Sequence, residues 1–546
     1  MIRVHRGTAA AASSAAMIAG ALALSACGSA PPPARLGCEA MHGHRIAASE
    51  IALPTSGAVV REAVTVAAAP ATPKAQAVLA HCKLVGEILP VDPAAPPIRF
   101  QLNVPDAWNG SAIQVGGGGL NGSIPRNLAA IGSSGSPVSA AQPPDAPYPI
   151  NRGYAMFGGD SGHQGTDGRW ALNDEARLNF AHASLKKTHD AAVALLRARH
   201  GQAPRFQYFM GTSQGGREAL EVAQRYPADY DGVVAAAPLV GYSAHVIHKT
   251  VLAGQQTGAA WIPPALTKAV ADEVMRQCDA LDGIADGVVS HQLGCNARFD
   301  PAPLRCNGGQ TGTNCLSDAQ MGTLKAMHSP LDFGYALANG WTRFPGYGTG
   351  REAVAWLNIK PQPKPGVAPA LGQPGTTVQY VILQDPAADL LQFSVAGARD
   401  RIVAASALID STNPDLSGFF ARGGRLIVKS NGADYFVNPQ TAADWMKRVR
   451  DRMGNSAVDA HVRHYLLPGA GHSGDGKSHT TGAPIPQYVD LISMMTDWVE
   501  RDLTPPEAPV LRSADGATKP MCRYPLYPRH VGGDPAQAAS YRCVRG

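Results

Sequence analysis

A serine stands where a strand pattern passes directly into a helix pattern. Residues 206–210 read Phe-Gln-Tyr-Phe-Met, residues 211–215 read Gly-Thr-Ser-Gln-Gly, and an amphipathic pattern follows. A turn this tight needs small residues on both sides of Ser213, and it places the hydroxyl beside helix amides that favour developing negative charge. The pattern indicates a nucleophilic serine, although a short G-x-S-x-G motif also occurs in ordinary strand-to-helix turns.

A serine hydroxyl becomes nucleophilic when a base takes its proton, and the base needs an acid that orients it. Both kinds of residue follow the serine in the chain. The strand pattern 425–429 leads to Asp434, and the strand pattern 464–467 leads through Pro-Gly-Ala-Gly to His472. Side chains just beyond the ends of parallel strands meet at one edge of a sheet. We therefore predict a catalytic triad of Ser213, Asp434 and His472.

Other acids and histidines in the same part of the chain could fill these roles. They precede a strand, begin one or lie in a polar loop, so we rank them below the two residues at strand ends. The rival acids are Asp410, Asp415 and Asp475, and the rival histidines are His464 and His479.

Ester chemistry on a serine also needs two N–H donors for the oxyanion. The amide of Gln214, directly after the serine, is one candidate. Four consecutive glycines, 116–119, follow an early strand pattern and could supply the other. A flexible linker is the alternative interpretation of these glycines.

Alternating strand and helix patterns must position these residues. They predict an α/β fold with a doubly wound, mostly parallel sheet. The alternation breaks over 242–391, which is irregular and rich in Gly and Pro, and we interpret this segment as an inserted lid domain. The predicted division is a signal peptide 1–26, a tether 27–37, a catalytic domain 38–241 and 392–510, the lid 242–391, and a disulfide-closed segment 511–546.

Composition excludes several classes of protein. The 546 residues are 45% hydrophobic and 16% charged, with a formal net charge of +5 spread along the chain. This describes a well-cored globular protein and excludes collagen, coiled coil and disorder. Because no basic block or RNA-binding aromatic pattern is present, we expect a small-molecule partner and no nucleic acid.

The N-terminus is typical of a secretory signal. An apolar stretch ends in Leu-Ser-Ala followed by Cys27, which resembles the bacterial lipobox, in which the cysteine becomes lipidated. An ordinary signal ending near Ala26 is the alternative. We expect an exported protein, either a periplasmic or outer-membrane lipoprotein or a secreted protein, with membrane contact only through this lipid anchor.

Eight cysteines remain beyond Cys27, and an even number in an oxidising compartment indicates disulfides. Spacing favours three local pairs and leaves a fourth, although eight cysteines allow about 105 connectivities. The three local pairs are Cys278 with Cys295, Cys306 with Cys315 and Cys522 with Cys543, and the pair left over is Cys38 with Cys82.

A segment of eight residues in the proposed lid contains three carboxylates, Asp279, Asp282 and Asp286. Hard oxygen ligands that converge on one point suit calcium, but the spacing is not that of an EF-hand. A solvated acidic turn is the alternative.

Several of these motifs together resemble the tannase and feruloyl esterase family, which includes hydrolases of mono(2-hydroxyethyl) terephthalate. The resemblance extends from about Cys38 to Cys543 and is sparse between residues 307 and 391. The motifs are Trp108-Asn-Gly, the glycines 116–119 with Asn121-Gly, Asp160-Ser-Gly-His, Gly211-Thr-Ser-Gln-Gly-Gly-Arg-Glu-Ala, Tyr230-Asp-Gly-Val-Val, Cys278-Asp-Ala-Leu-Asp-Gly-Ile-Ala-Asp-Gly and Pro468-Gly-Ala-Gly-His.

The resemblance implies an α/β-hydrolase fold with a lid inserted before the acid, the triad named above, and an oxyanion hole formed by the amides of Gly119 and Gln214. It implies the same four disulfides and a structural Ca²⁺ in the lid. It also implies a serine carboxylic-ester hydrolase that forms an acyl-enzyme on aromatic esters, such as feruloyl, galloyl or terephthalate esters. The implied calcium ligands are the carboxylates of Asp279, Asp282 and Asp286 and the carbonyls of Ile284 and Val288.

The chain departs from the family at one point. Many members join a cysteine before the nucleophile to one after the histidine, and Thr212 and Ser473 occupy those positions here. The chemistry of the triad does not need this link, so we expect activity with a looser coupling of the two loops.

Two alternatives stay open from sequence alone: another hydrolase or acyltransferase on the same scaffold, and a non-catalytic surface lipoprotein that binds ligands. The substrate would depend on the lid. Trp261, Trp341, Phe344 and Trp356 are candidate aromatic walls there, although aromatic side chains more often pack in a core.

Overall fold

The computed structural model describes residues 36–73, 75–130, 142–256, 258–309, 312, 314–350 and 371–546. The signal peptide, Cys27 and Trp356 lie outside these residues. Contacts within the chain group Arg35–Gly546 as one compact unit.

The strands are numbered in the order in which they occur along the chain. They are β1 (Arg45–Ile46), β2 (Ala58–Val66), β3 (His81–Ile88), β4 (Ile98–Pro105), β5 (Ser111–Val115), β6 (Ala155–Gly159), β7 (Phe206–Thr212), β8 (Gly232–Ala236), β9 (Leu331–Asp332), β10 (Arg343–Phe344), β11 (Arg425–Asn431), β12 (Val462–Leu467), β13 (Val510–Arg512), β14 (Thr518–Pro520), β15 (Tyr527–His530) and β16 (Tyr541–Val544).

Ten strands of the described chain form one sheet in the order β1-β2-β3-β4-β6-β5-β7-β8-β11-β12. The half from β6 to β12 is parallel, and β1 to β4 form an antiparallel extension that pairs with β6. The parallel strands read as nearly continuous apolar runs because both of their faces are covered. The predicted α/β-hydrolase architecture is therefore confirmed.

The helices of the described chain are also numbered in chain order. They are α1 (Asp174–Leu178), α2 (Ser184–His200), α3 (Gln214–Arg225), α4 (Tyr242–Gln255), α5 (Pro264–Cys278), α6 (Gln292–Arg298), α7 (Asp318–His328), α8 (Gly372–Thr376), α9 (Arg399–Ile409), α10 (Ser417–Ala421), α11 (Pro439–Met453), α12 (Asn455–His461) and α13 (Leu491–Arg501).

The last long helix begins later than its apolar pattern suggests. Periodicity predicts a start at Pro486, whereas α13 begins at Leu491 because the side chain of Asp490 accepts a hydrogen bond from the amide of Ser493 at 2.9 Å. Before this cap, the backbone of Tyr488 pairs with Arg512 instead.

The inserted segment packs on the catalytic core. Trp341, Phe344 and Val378 share one apolar cluster with Phe209 and Val428 of the central strands. A second cluster covers the opposite face of the sheet, and a third lies under its antiparallel half.

Four disulfides are present among the described residues, and they confirm the three local pairs and the pair left over. They join Cys38 to Cys82, Cys278 to Cys295, Cys306 to Cys315 and Cys522 to Cys543. Such a set is typical of an exported protein. None of the described helices is long and apolar enough to cross a bilayer.

Candidate active site

Ser213 occupies a strained turn between β7 and α3. Its φ of 65° and ψ of −120° lie in a region that non-glycine residues rarely adopt. The turn is possible because its neighbours are small: a Cβ on Gly215 would lie 2.6 Å from the carbonyl oxygen of Gly117. The amide of Ser213 donates to the carbonyl of Ala236 at 3.1 Å and ties the turn to β8. This is the geometry of a half-buried nucleophile at the top of a sheet.

Asp434 and His472 are in direct contact. The imidazole Nδ1 lies 2.8 Å from Oδ2 and 3.0 Å from Oδ1 of a carboxylate that is 1% exposed. Because a carboxylate accepts, Nδ1 carries the proton and Nε2 is left as the base. The amides of Phe436 and Val437 also donate to Asp434 Oδ1, at 2.9 and 2.8 Å, and hold the carboxylate in place.

The sheet brings the serine to the same edge as this pair. β7, β8, β11 and β12 are consecutive parallel strands, and Ser213, Asp434 and His472 follow the carboxyl ends of β7, β11 and β12. In addition, Asn431 Nδ2 donates to the carbonyls of Gly471 and His472, at 2.9 and 3.2 Å. The loops that carry the acid and the base are thus fastened together.

The glycine loop packs directly against the nucleophile turn. A Cβ on Gly116 would lie 2.7 Å from the Cα of Gly215, so a larger residue has no room there. The buried Glu218 accepts from the amide of Gly117 at 2.9 Å and from Asn121 Nδ2 at 2.5 Å. Burial raises the pKa of the Glu218 carboxyl. Sequence reasoning missed Glu218, whose only signal was an acid on the buried face of α3.

Of the two amides predicted for the oxyanion hole, one belongs to the nucleophile turn and the other to the glycine loop that packs against it. Gln214 is the first residue of α3, and the first four amides of a helix have no acceptor within it. Gly119 has a φ of 62°, and the side chain of Gln373 from α8 lies close to it, 3.3 Å from where a Cβ would be. The role of these amides stays a prediction.

The structure uses the rival acids for other purposes. Asp410 accepts from the amide and hydroxyl of Ser243, and burial raises its pKa to about 6. Asp415 pairs with Arg452 at 2.8 Å on the surface, and Asp475 is exposed.

The rival histidines are also engaged elsewhere. His464 is buried with Nε2 3.1 Å from Ser430 Oγ, and burial lowers its pKa to about 3. His479 Nε2 lies 2.7 Å from Asp272 Oδ1.

An aromatic ring beside the base was also missed. Phe436 is 51% exposed, and its centroid lies 5.1 Å from that of the His472 ring. Lys249 lies 5.4 Å from the Phe436 centroid and donates to the carbonyl of Tyr435 at 3.0 Å. Of the aromatic walls considered from sequence, Trp341 and Phe344 are buried in the core and Trp261 is half-buried.

The three lid carboxylates are gathered on one turn after α5. Asp279 accepts from the amides of Gly287 and Val288, at 2.9 and 3.2 Å, and Asp286 Oδ2 lies 3.1 Å from Lys519 Nζ. Burial raises the pKa of Asp282 to about 6, and its Oδ2 has no hydrogen-bond partner among the described residues.

The oxygen ligands of this turn suit a cation. Its net charge suits one too, because three carboxylates face a single ammonium group, that of Lys519. Its oxygens are not drawn tightly together: within the described chain, the three side chains whose ligand atoms all lie within 4.8 Å are His189, Asp190 and Asp229. That other cluster already contains a cation, because Lys186 lies 2.9 and 2.8 Å from its two aspartates.

Comparison with known proteins assigns the chain to a family. The family model described as tannase and feruloyl esterase matches residues 82–544. This chain belongs to that family. An uncharacterized esterase of Agrobacterium fabrum is 34% identical over 533 residues, with 93% of each chain covered. The mono(2-hydroxyethyl) terephthalate hydrolase of Piscinibacter sakaiensis is 28% identical, with 94% of this chain and 92% of that protein covered.

Solved structures of the tannase and feruloyl esterase family share the fold. Feruloyl esterase B from Aspergillus oryzae superposes with a TM-score of 0.75 at 22% identity, covering 93% of this chain and all (100%) of that one. The tannin acyl hydrolase of Aspergillus niger gives 0.69 at 20% identity, covering 91% and 94%. The family and its esterase relatives identify this protein as a carboxylic ester hydrolase.

Proposed function

We propose that the protein hydrolyses esters of aromatic carboxylic acids through an acyl-enzyme on Ser213. The observation that carries the proposal is the paired Asp434 and His472 at the same sheet edge as the strained serine. Relatives named for feruloyl and terephthalate esters support the aromatic acid, and the exposed Phe436 beside His472 offers a ring to pack against it.

The reaction follows from the hydrogen bonds of the site. Nε2 of His472 takes the proton of Ser213, whose oxygen attacks the ester carbonyl, while the Gln214 and Gly119 amides would donate to the oxyanion. The protonated imidazole then gives its proton to the departing alcohol. The same Nε2 then takes a proton from water, whose oxygen attacks the acyl-enzyme, and the imidazolium returns that proton to the oxygen of Ser213 as the acid is released. Asp434 holds the tautomer that leaves Nε2 free and stabilises the imidazolium.

The test is a hydrolysis panel on the purified mature protein beside Ser213→Ala. The panel contains methyl ferulate, methyl gallate, mono(2-hydroxyethyl) terephthalate and a short aliphatic nitrophenyl ester. We expect serine-dependent cleavage with the highest kcat/KM on an aromatic ester, and a rise in KM for that ester in Phe436→Ala. If Ser213→Ala hydrolyses the esters as well as the wild type does, the assignment of the site is wrong. If the wild type prefers the aliphatic ester, the proposed preference for aromatic esters is wrong.

We also propose that the lid turn holds a structural Ca²⁺ through Asp279, Asp282 and Asp286 with the carbonyls of Ile284 and Val288. The unpartnered Asp282 oxygen and the excess of carboxylate over ammonium support this. Thermal melting after chelation should show a lower Tm that Ca²⁺ restores in the wild type and not in Asp282→Ala. A Tm that chelation leaves unchanged would argue against the ion.

Finally, we propose that Cys27 is lipidated and anchors the exported enzyme to a membrane. Its lipobox-like context supports this. Fractionation of expressing cells should recover the wild type with membranes and Cys27→Ser in the soluble exported fraction. If the wild type and Cys27→Ser are distributed identically between the two fractions, the N-terminal segment is an ordinary secretory signal.

A further inference from the structure

Glu218 is a buried acid on the nucleophile helix to which the mechanism gives no role. It lies on α3, five residues after Ser213, and only 1% of it is exposed. Its neighbour Arg217 donates to the side chain of Gln214 and to three carbonyl oxygens, and no ion pair to Glu218 forms within the described chain. A buried carboxylate without a paired cation is costly unless hydrogen-bond donors surround it.

Three donors surround this carboxylate, two from the glycine loop and one from the loop after β6. Oε2 accepts from the amide of Gly117 at 2.9 Å, and Oε1 accepts from Asn121 Nδ2 at 2.5 Å. The hydroxyl of Ser161 donates to the carboxylate and accepts from Asn121 Nδ2. Since every partner donates, the carboxylate fastens both loops to the nucleophile helix.

The glycine loop 116–119 needs such contacts, because consecutive glycines have little conformational preference of their own. Its first amide donates to the carbonyl of Met210 in β7 at 2.8 Å, and its second donates to Glu218. The amide of Gly119, the predicted oxyanion donor, has no acceptor among the described residues. Through its second bond, to Asn121, Glu218 therefore holds the chain on both sides of that free amide.

The loop after β6 is tied to the same point. The amide of Gly122 donates to the carbonyl of Asp160 at 3.1 Å, and the amide of Gly165 donates to the carbonyl of Gly122 at 3.0 Å. Ser161 has a φ of 70°, in the left-handed region that non-glycine residues rarely adopt, and its hydroxyl reaches Glu218 from this conformation. Such a backbone conformation persists where the surrounding contacts enforce it.

We propose that Glu218 is a positioning residue for the oxyanion hole. By accepting from Gly117 and Asn121, it fixes the peptide groups on both sides of Gly119, so that this amide is directed at the oxyanion before the substrate binds. Donors that are fixed in advance stabilise the oxyanion without a cost of reorganisation. Glu218 acts only through Gly119, and the inference rests on the proposed hydrolysis at Ser213 with that amide as a donor.

Glu218→Leu removes both acceptors from the two loops. We expect kcat on the best ester of the panel to fall about 100-fold and KM to change by less than about threefold, because the oxyanion forms in acylation and deacylation but not in the bound ester. Glu218→Gln keeps an oxygen for the amide of Gly117, so it should recover at least about tenfold of this loss. Steady-state kinetics measure both constants, with circular dichroism to confirm the fold.

Glu221→Leu is the matched control on the same helix. Glu221 is 2% exposed and accepts from Arg225 at 2.6 Å and from the hydroxyl of Ser411 at 2.7 Å, neither of which belongs to the glycine loop. Both leucine variants should have a lower Tm, but Glu221→Leu should keep kcat within about threefold of the wild type. An equal loss of kcat in the two variants would overturn the positioning role.

Asn121→Gly tests the same contact from the loop and does not depend on the folding of Glu218→Leu. Glycine readily adopts the φ of 57° at this position, so the change removes the side-chain donor without backbone strain. We expect kcat to fall about tenfold with KM nearly constant. The control is Asn127→Gly, at an exposed position with the same φ of 57°, and its kcat should equal that of the wild type.

Ser213→Ala separates this inference from the proposed function. If Ser213→Ala is inactive while Glu218→Leu and Asn121→Gly keep the wild-type kcat, the positioning role is wrong and the proposed hydrolysis at Ser213 stands. If Ser213→Ala keeps the wild-type kcat, the proposed site is wrong and the positioning role falls with it.

Discussion

The acid is the member of the candidate triad for which the chain offers the most alternatives. Substitution of Asp434 is therefore the most discriminating test of the triad at the scale of single residues. Asp434→Asn should lower kcat by about 10⁴-fold, because an amide at this position favours the wrong imidazole tautomer. The measurement is kcat on the best ester of the panel, with circular dichroism to confirm the fold.

Asp475→Asn is the matched control, since Asp475 is exposed in the loop that carries the base. Its kcat should equal that of the wild type. If kcat falls strongly in Asp475→Asn and only slightly in Asp434→Asn, the assignment of Asp434 as the acid is wrong.

At the scale of elements, Asp410 joins α9 to α4 through Ser406 and Ser243. Burial raises its pKa from 3.8 to about 6, so its stabilising contribution is complete below about pH 4 and is lost as the pH rises through 6. Asn at this position does not ionise. The free energy of unfolding of Asp410→Asn, relative to the wild type, should therefore rise by up to about 3 kcal/mol between pH 4 and pH 7.

Chemical denaturation at the two pH values measures this difference. Asp415→Asn is the control of opposite sign, because hydrogen bonds from Ser417 and Arg452 lower the pKa of Asp415 to about 2. Its contribution to stability is present above the unfolded pKa of 3.8 and lost only in stronger acid. The stability of Asp415→Asn relative to the wild type should not rise with pH, and a rise equal to that of Asp410→Asn would contradict the burial argument.

At the scale of the whole molecule, the disulfides close loops of different length. Cys38 and Cys82 are separated by 44 residues, and Cys306 and Cys315 by 9. Loop-closure entropy then predicts losses of about 4 and about 2.6 kcal/mol when each pair is replaced by serines. Denaturant titration of the two double variants gives the order, and a larger loss for the shorter loop would show that native packing outweighs chain entropy.

Much of the site is decided by local sequence. Ser213, Asp434 and His472 each follow a strand that its own apolar run predicts, and the parallel α/β pattern requires such strand ends to share an edge. Three of the disulfide pairs could be predicted for a similar reason, because short separations favour contact, and the fourth was the pair left over. The boundaries of elements were harder to predict. Helix α13 begins where the side chain of Asp490 caps it, and the apolar periodicity of a helix contains no information about its cap.

Other features depend on residues that only folding brings together. Glu218 meets the amide of Gly117 across 101 positions, and Phe436 lies beside the ring of His472 although 36 positions separate them. No local pattern encodes such contacts, because a side chain's burial and partners depend on the elements packed around it. The sequence by itself determined which chemistry is available, and tertiary packing alone decided which groups support it.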